Sequence, residues 1–296
     1  MKRLPILLAI AGLPLTGLGQ IAVTVSTDSN RYIQYEAIDV KVTLRNYSGE
    51  TLSFNRDSEI SGELKFRIQD KDKNLLEPLS QSFNPAVGLV LPPGTTRELS
   101  LPINQFYDLQ DDKEYELVAR IGHRRLRDQY ESKPCRFRVN SGSRVWHQQV
   151  GSPSRSPEEA IAVRDVSINM FDGERGDLFY LQIEDKNLVY AVIRLGPRVQ
   201  GIEPQAEVDA LNQVHVLVQI APELFRYRMI DLDGKVTQSK LYTIGRVMPK
   251  LIRDPDIGRV MVTGGKVALD GVDYNIRAVP LGETQQAELP ETLFDN

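Results

Sequence analysis

One cysteine in 296 residues, Cys135, excludes a disulfide within the chain. Histidine is nearly as scarce: His123, His147 and His215 are the whole supply, there is no HExxH helix, and no two of the three stand at metal-ligand spacing. A GxSxG elbow, a GxxxxGK[ST] phosphate loop and a GxGxxG turn after a strand are all missing. These absences leave no sequence signature for a catalytic residue, a metal or a cofactor. Charge of one sign is also lacking. Lys and Arg number 36 against 40 Asp and Glu, for a net charge of −4 and a pI near 5.6, so no general attraction for nucleic acid is expected.

What is present begins with residues 1–19. Lys2 and Arg3 precede an apolar run from Leu4 to Leu18, broken by Pro5 and Pro14, and Gly17-Leu18-Gly19 gives a small-residue exit before Gln20. That is the pattern of an export signal. The run falls short of the roughly 20 apolar residues of a spanning helix, so cleavage is expected over anchoring, with an uncleaved anchor as the alternative. Gln20 is not a cysteine, which removes lipid attachment at a new N-terminus. No second apolar anchor follows, so no stable membrane insertion is expected after cleavage, and the destination is periplasmic or extracellular. The remaining roughly 275 residues fit two domains.

From residue 20 to 140 the chain alternates apolar and polar side chains in short runs. Ile38, Val40, Val42 and Leu44 form one, Leu64, Phe66 and Ile68 another, and Tyr115, Leu117, Ala119 and Ile121 a third. Cys135, Phe137 and Val139 close the series, with Arg136 and Arg138 between them. Period-2 alternation marks strands with one face in a core and one in water. It makes Cys135 a small apolar strand residue, and the basic cluster from Arg124 to Arg138 a solvated face. Asn46-Tyr47-Ser48 matches a glycosylation acceptor and reads as an exposed turn.

The succession Tyr35-Glu36-Ala37-Ile38 with Leu44-Arg45-Asn46, then Leu91-Pro92-Pro93-Gly94-Thr95, then Tyr107-Asp108-Leu109 before Tyr115-Glu116-Leu117, resembles exported bacterial immunoglobulin-like domains. The resemblance covers about 120 residues and implies a β sandwich in which Tyr115 is the corner tyrosine. Such domains serve as spacers, adhesive modules or protein-binding surfaces, and one related family inhibits proteinases. The paired cysteines and core tryptophan of antibody domains are not present.

Residues 141–157 are rich in Ser, Gly and Pro and read as a linker, with Trp146 packing at an interface or offering a stacking platform to a ligand. Residues 158–280 read as a second β domain: a sandwich, a barrel or a propeller-like fragment. Leu178 to Ile183, Leu188 to Leu195 and Val214 to Ile220 are apolar on both faces, as in strands covered twice. Asp231-Leu232-Asp233-Gly234 reads as a hairpin turn, favoured over a calcium loop because no closing Glu follows. Acidic turns recur before Val-rich strands at Asp185, Asp209 and Asp256. The acidic tail, 281–296, is expected to be poorly ordered.

The fold class expected is therefore all-β, an immunoglobulin-like sandwich followed by a second antiparallel β domain. The function expected is that of a non-catalytic binding or scaffolding module meeting a protein or glycan at the cell envelope. The alternatives are a proteinase inhibitor, for which residues 80–88 give the longest candidate loop, and a hydrolase with an unrecognised site. His215, Tyr190 and Asp209 are the first candidates for such a site, and Trp146 for ligand contact.

Overall fold

A computed structural model describes residues 20–55, 61–80, 83–109, 112–153, 161–199 and 201–274. The readings made for 1–19 and for the tail lie outside them. In chain order the first strands are β1 (Ile21–Thr27), β2 (Arg31–Ile33), β3 (Asp39–Asn46), β4 (Leu52–Ser53), β5 (Gly62–Asp70), β6 (Leu75–Leu76), β7 (Val90–Leu91), β8 (Thr96–Pro102), β9 (Lys113–His123), β10 (Tyr130–Glu131) and β11 (Cys135–Asn140). There follow β12 (Ser143–Pro153), β13 (Ile161–Gly173), β14 (Gly176–Glu184), β15 (Val189–Pro197), β16 (Gln205–Val208), β17 (Val214–Ala221), β18 (Leu224–Ile230), β19 (Val236–Thr243), β20 (Lys250–Arg253), β21 (Val260–Thr263) and β22 (Lys266–Val267). The fold is all-β, and among the described residues the one helical element is a single 3-10 turn at Ile103–Gln105.

The chain divides into two units that interleave in sequence. The first comprises the residues up to Asp28, Ile38–Asp108 and Glu114–Arg136; the second comprises Ser29–Ala37, Leu109–Lys113 and the chain from Phe137 onward. In the first unit β1, β3 and β8 form one antiparallel sheet, and β5 pairs with β6 on one side and β9 on the other, with β10 added to β9. The alternation in sequence becomes alternation in burial. Val40, Val42, Leu44, Leu64 and Ile68 are fully buried, while Lys41, Arg45, Glu63, Lys65 and Arg67 between them are exposed. Each such side chain contributes on the order of 1.5–3 kcal/mol of apolar transfer, which is what a β core without cross-links has to rely on. The Tyr107 hydroxyl donates to the Phe66 carbonyl at 3.0 Å and so ties the segment before β9 to β5. Tyr115 lies buried on β9 itself, opposite Asp70.

The second unit holds two consecutive four-stranded meanders, β12-β13-β14-β15 and β16-β17-β18-β19, the latter extended by β22. Val166, Ile168, Phe179, Leu181 and Ile183 of the first meander share one core with Val208, Val214, Val216, Val218 and Ile230 of the second. The other face of the second meander packs Leu217, Phe225 and Tyr227 against Leu251 and Val262 of the β20–β21 pair. β17 is therefore buried on both faces, as the apolar residues on both faces of Val214 to Ile220 predict, and His215 and Gln219 are buried with them. The Asp231–Gly234 turn joins β18 to β19, and its Gly234 is demanded twice: φ is +88°, and a Cβ there would lie 2.2 Å from that of Ala191. The turn is clamped from the facing meander by Arg164, whose Nη1 donates to the Leu232 carbonyl at 2.8 Å while its guanidinium lies 3.2 Å over the Tyr190 ring.

Two readings of the sequence are corrected. Residues 143–153 are not a loop: they form β12, the first strand of the first meander, paired with β13 along its length. The run Val145 to Val150 carries the strand, while the flanking Ser, Gly and Pro residues disguise it. Asn46 is not exposed either; it is fully buried at the end of β3. Its amide donates to the carbonyls of Leu91 (2.9 Å) and Glu50 (2.8 Å), and its oxygen accepts from the Ser48 amide at 2.8 Å and hydroxyl at 2.6 Å.

Asn46→Ala leaves these buried partners unsatisfied, and a cost of about 3 kcal/mol in urea denaturation is expected, since each such group is worth about 1–3 kcal/mol. Expression in a glycosylating host should leave Asn46 unmodified by mass spectrometry, because its amide is committed inside the fold.

Candidate functional site

The three histidines occupy unlike environments. His215, on β17, is buried, and its ring bridges two partners: Nδ1 lies 2.7 Å from the Tyr227 hydroxyl and Nε2 lies 3.1 Å from Asp209 Oδ2. Asp209 stands at the reversal between β16 and β17, and its other oxygen accepts the backbone N–H groups of Leu211 and Gln213, both at 2.8 Å. Burial works against its charge, but the Gln213 N–H, His215 and the Leu211 N–H outweigh that and hold its pKa below the usual carboxylate range. An ionised Asp209 fixes the tautomer: Nε2–H donates to it, and Nδ1 accepts from Tyr227. Burial, then Tyr242 and Asp209 nearby, push the Tyr227 phenol up to about 12, so it remains a donor at neutral pH. Two sequence candidates, His215 and Asp209, thus meet in a closed relay that ends on a packed phenol.

Tyr190 is not part of that relay. Its ring carries Arg164, and its hydroxyl donates to Asp185, which is held below the usual carboxylate range by that bond first and then by the Asn187 N–H. Trp146 packs half-buried on the core shared by the two meanders, rather than standing as a platform. His147 Nε2 reaches Asp165 at 2.8 Å on a partly exposed sheet face.

His123 ends β9. Its Nδ1 accepts the Arg125 N–H at 3.0 Å, which places the ring proton on Nε2, 3.1 Å from the Ser53 carbonyl. The Phe54 ring lies edge-on to it, with centroids 5.6 Å apart. Burial lowers its pKa, the bond to Ser53 opposes that, and the Arg125 charge adds to the lowering. Gly62 faces it on β5; a Cβ there would fall 2.4 Å from the Phe54 ring and 2.8 Å from the imidazole.

Beside His123 opens a groove of about 760 Å³ over the outward face of β5 and β9. Glu63 pairs with Gly122 and Lys65 with Arg120 across these strands, and all four line it. Asn84 pins the neighbouring loop to β5: its oxygen accepts the Leu64 N–H at 3.1 Å and its amide donates to the Gly62 carbonyl at 3.2 Å. The reversal after His123 supplies Arg124, Arg127, Asp128 and Gln129. Lys65 is held by Glu63 at 2.6 Å, and Arg120 Nε by Glu131 at 2.8 Å. The Arg124 and Arg127 guanidinium groups are exposed, and among the described residues neither has a carboxylate partner. The backbone N–H of Arg127 is fixed by Gln20 Oε1 at 2.8 Å. Sequence reasoning missed the groove because its parts lie far apart in sequence; the cluster Arg124-Arg125-x-Arg127 was the one local signal.

The loop considered for proteinase inhibition is turned inward at its centre. Phe83 stacks on Phe106 with centroids 3.8 Å apart, and Asn84 is the pin just described. Among the described residues no group of three His, Cys, Asp or Glu side chains could hold a metal ion.

No family model matches the chain, and no curated protein matches it. Among solved structures, the sporulation control protein Spo0M from Bacillus subtilis aligns over 57% of this chain and 80% of its own, at 11% identity and a TM-score of 0.27. At that score the likeness says nothing about function.

Because the folded pKa of His123 lies below its ordinary value, the unfolded chain takes up the proton first on acidification. Its contribution to stability is whole above about pH 6.5 and is lost as pH falls from there through the folded value. The urea midpoint should drop between about pH 7.5 and about pH 5.5, and drop less in His123→Gln; equal drops would contradict the assignment. Tyr227→Phe, which strips Nδ1 of His215 of its donor, should cost about 1–3 kcal/mol in the same assay.

Proposed function

We propose that the chain is exported, that its mature form begins at Gln20, and that it is a non-catalytic binding or scaffolding module of the cell envelope. Its first unit is read as an immunoglobulin-like sandwich, and it meets its protein or glycan partner through the groove over β5 and β9. The observation that carries this reading is the groove's pair of arginines, Arg124 and Arg127, exposed on an anchored reversal and free of carboxylate partners among the described residues. Neighbouring cations are already neutralised by Glu63 and Glu131, so these two are the groups left to meet a partner that carries carboxylates.

Two further observations support the reading. Strand β1 starts at Ile21, one residue past the proposed cleavage point, and Gln20 is already tied into the fold. The ring nitrogens of His123 and His215 are bonded to groups of the fold, and the hydroxyl that meets His215 is a packed phenol pushed up to about 12, not an activated nucleophile.

Purified mature protein immobilised over an envelope extract should retain a discrete component. Arg124→Glu with Arg127→Glu should weaken that retention by about tenfold at low salt and lower its sensitivity to salt. Equal retention by the double variant would contradict the groove as the contact surface. Turnover of any substrate, abolished by a single substitution, would contradict the non-catalytic reading.

A further inference from the structure

Gln20 lies in an environment built around its two ends. Its backbone N–H donates to the Tyr130 hydroxyl at 3.1 Å, and the same hydroxyl lies 3.5 Å from Gln20 Oε1, to which it donates. That oxygen also accepts the Arg127 N–H at 2.8 Å. The Gln20 carbonyl meanwhile accepts the Tyr47 N–H at 2.9 Å, which fixes the residue from its other side. Among the described residues the side-chain nitrogen, Nε2, has no hydrogen-bond partner.

We infer that Gln20, once it is the N-terminal residue, is a modification site at which the fold promotes closure to a pyroglutamyl lactam. This rests on the proposed export and cleavage before Gln20. The step balances without a co-reactant. The lone pair of the neutral α-amine attacks Cδ, and the charge that develops on Oε1 is met by the Arg127 N–H and the Tyr130 O–H, an arrangement of the oxyanion-hole kind. Collapse breaks the bond from Cδ to Nε2, and ammonia leaves with the proton given up by the amine. The Tyr130 hydroxyl, in contact with both the amine and Oε1, is placed to pass the amine's proton to Oε1, and solvent water carries a proton on to the departing Nε2. An α-amine with an ordinary pKa near 7.7–8.0 keeps roughly a tenth to a third of its molecules in the neutral, attacking form between about pH 7 and about pH 7.5.

The product fits the same contacts. The lactam oxygen is the former Oε1 and retains its bond from Arg127, and the lactam N–H still donates to Tyr130. Each polar atom that survives the reaction is held in the fold, and the one atom that departs is not. Closure removes the terminal positive charge beside Arg127 and leaves no free amine for an aminopeptidase.

The test releases residues 20–296 from an N-terminal fusion so that Gln20 is free, then follows intact mass with time at neutral pH. The folded chain should lose one ammonia about tenfold faster than the same chain in urea, through fixed proximity of amine and amide. Tyr130→Phe should fall back toward the unfolded rate while retaining the near-native circular dichroism spectrum. A folded chain that closes no faster than the unfolded one, or a folded Tyr130→Phe that closes as fast as the native protein, would overturn the inference. The N-terminal peptide of the chain exported from cells separates the two claims. A start at Gln20 with the amine intact sinks the lactam alone, and a start elsewhere sinks the cleavage reading on which it rests.

Discussion

A chain of strands with no disulfide has to hold its reversals by hydrogen bonds, and in this protein an aspartate or asparagine at the head of the reversal does so repeatedly. Asn46, Asp70, Asp185, Asp209, Asp231 and Asp254 each turn a side-chain oxygen onto backbone N–H groups two to four residues ahead. These bonds satisfy amides that no ladder reaches, and they set where each strand starts and hence which face its side chains take. Several of these residues have a second task. Asn46 secures the Leu91 carbonyl, Asp209 orients His215, and the turn headed by Asp231 carries the carbonyl that Arg164 grips. The reversals are thus points at which local chain chemistry and the packing of sheets are joined.

The groove is a consequence of the same economy. β5 and β9 bury Leu64, Phe66, Leu117 and Ala119 on one face, so their other face must present Glu63, Lys65 and Arg120 to water. What turns that ordinary polar face into a concave site is the framing. Gly62 lets the Phe54 ring and His123 approach β5, Asn84 draws one loop against the strand, and Gln20 holds the reversal that carries Arg127. The cationic character is local, since the chain as a whole is mildly acidic.

Much of the fold was legible because it is written in period two. Val40-x-Val42-x-Leu44 and Leu64-x-Phe66-x-Ile68 leave no other assignment, and Asp231-Leu232-Asp233-Gly234 announces its turn by chemistry alone. Strand β12 escaped because Gln148 and Gln149 interrupt its apolar signal between flanks rich in Ser, Gly and Pro. Asn46 escaped because residue type predicts exposure for an asparagine, and only the approach of Leu91 from forty-five positions away reverses it. His215 and Asp209 could be paired in outline, six positions apart across a reversal, but the third member, Tyr227, depends on the β17–β18 register. The groove could not be read at all, for its walls come from residues near 63, 84 and 124.

On the proposed function, a partner is met on the outward face of β5 and β9. Hydrogen–deuterium exchange, measured with and without the component retained from envelope extract, tests it most directly. The account predicts added protection in peptides spanning 61–65 and 120–129 while those of the two meanders are unchanged. Protection confined to residues 161–274, with the groove peptides exchanging as before, would contradict it.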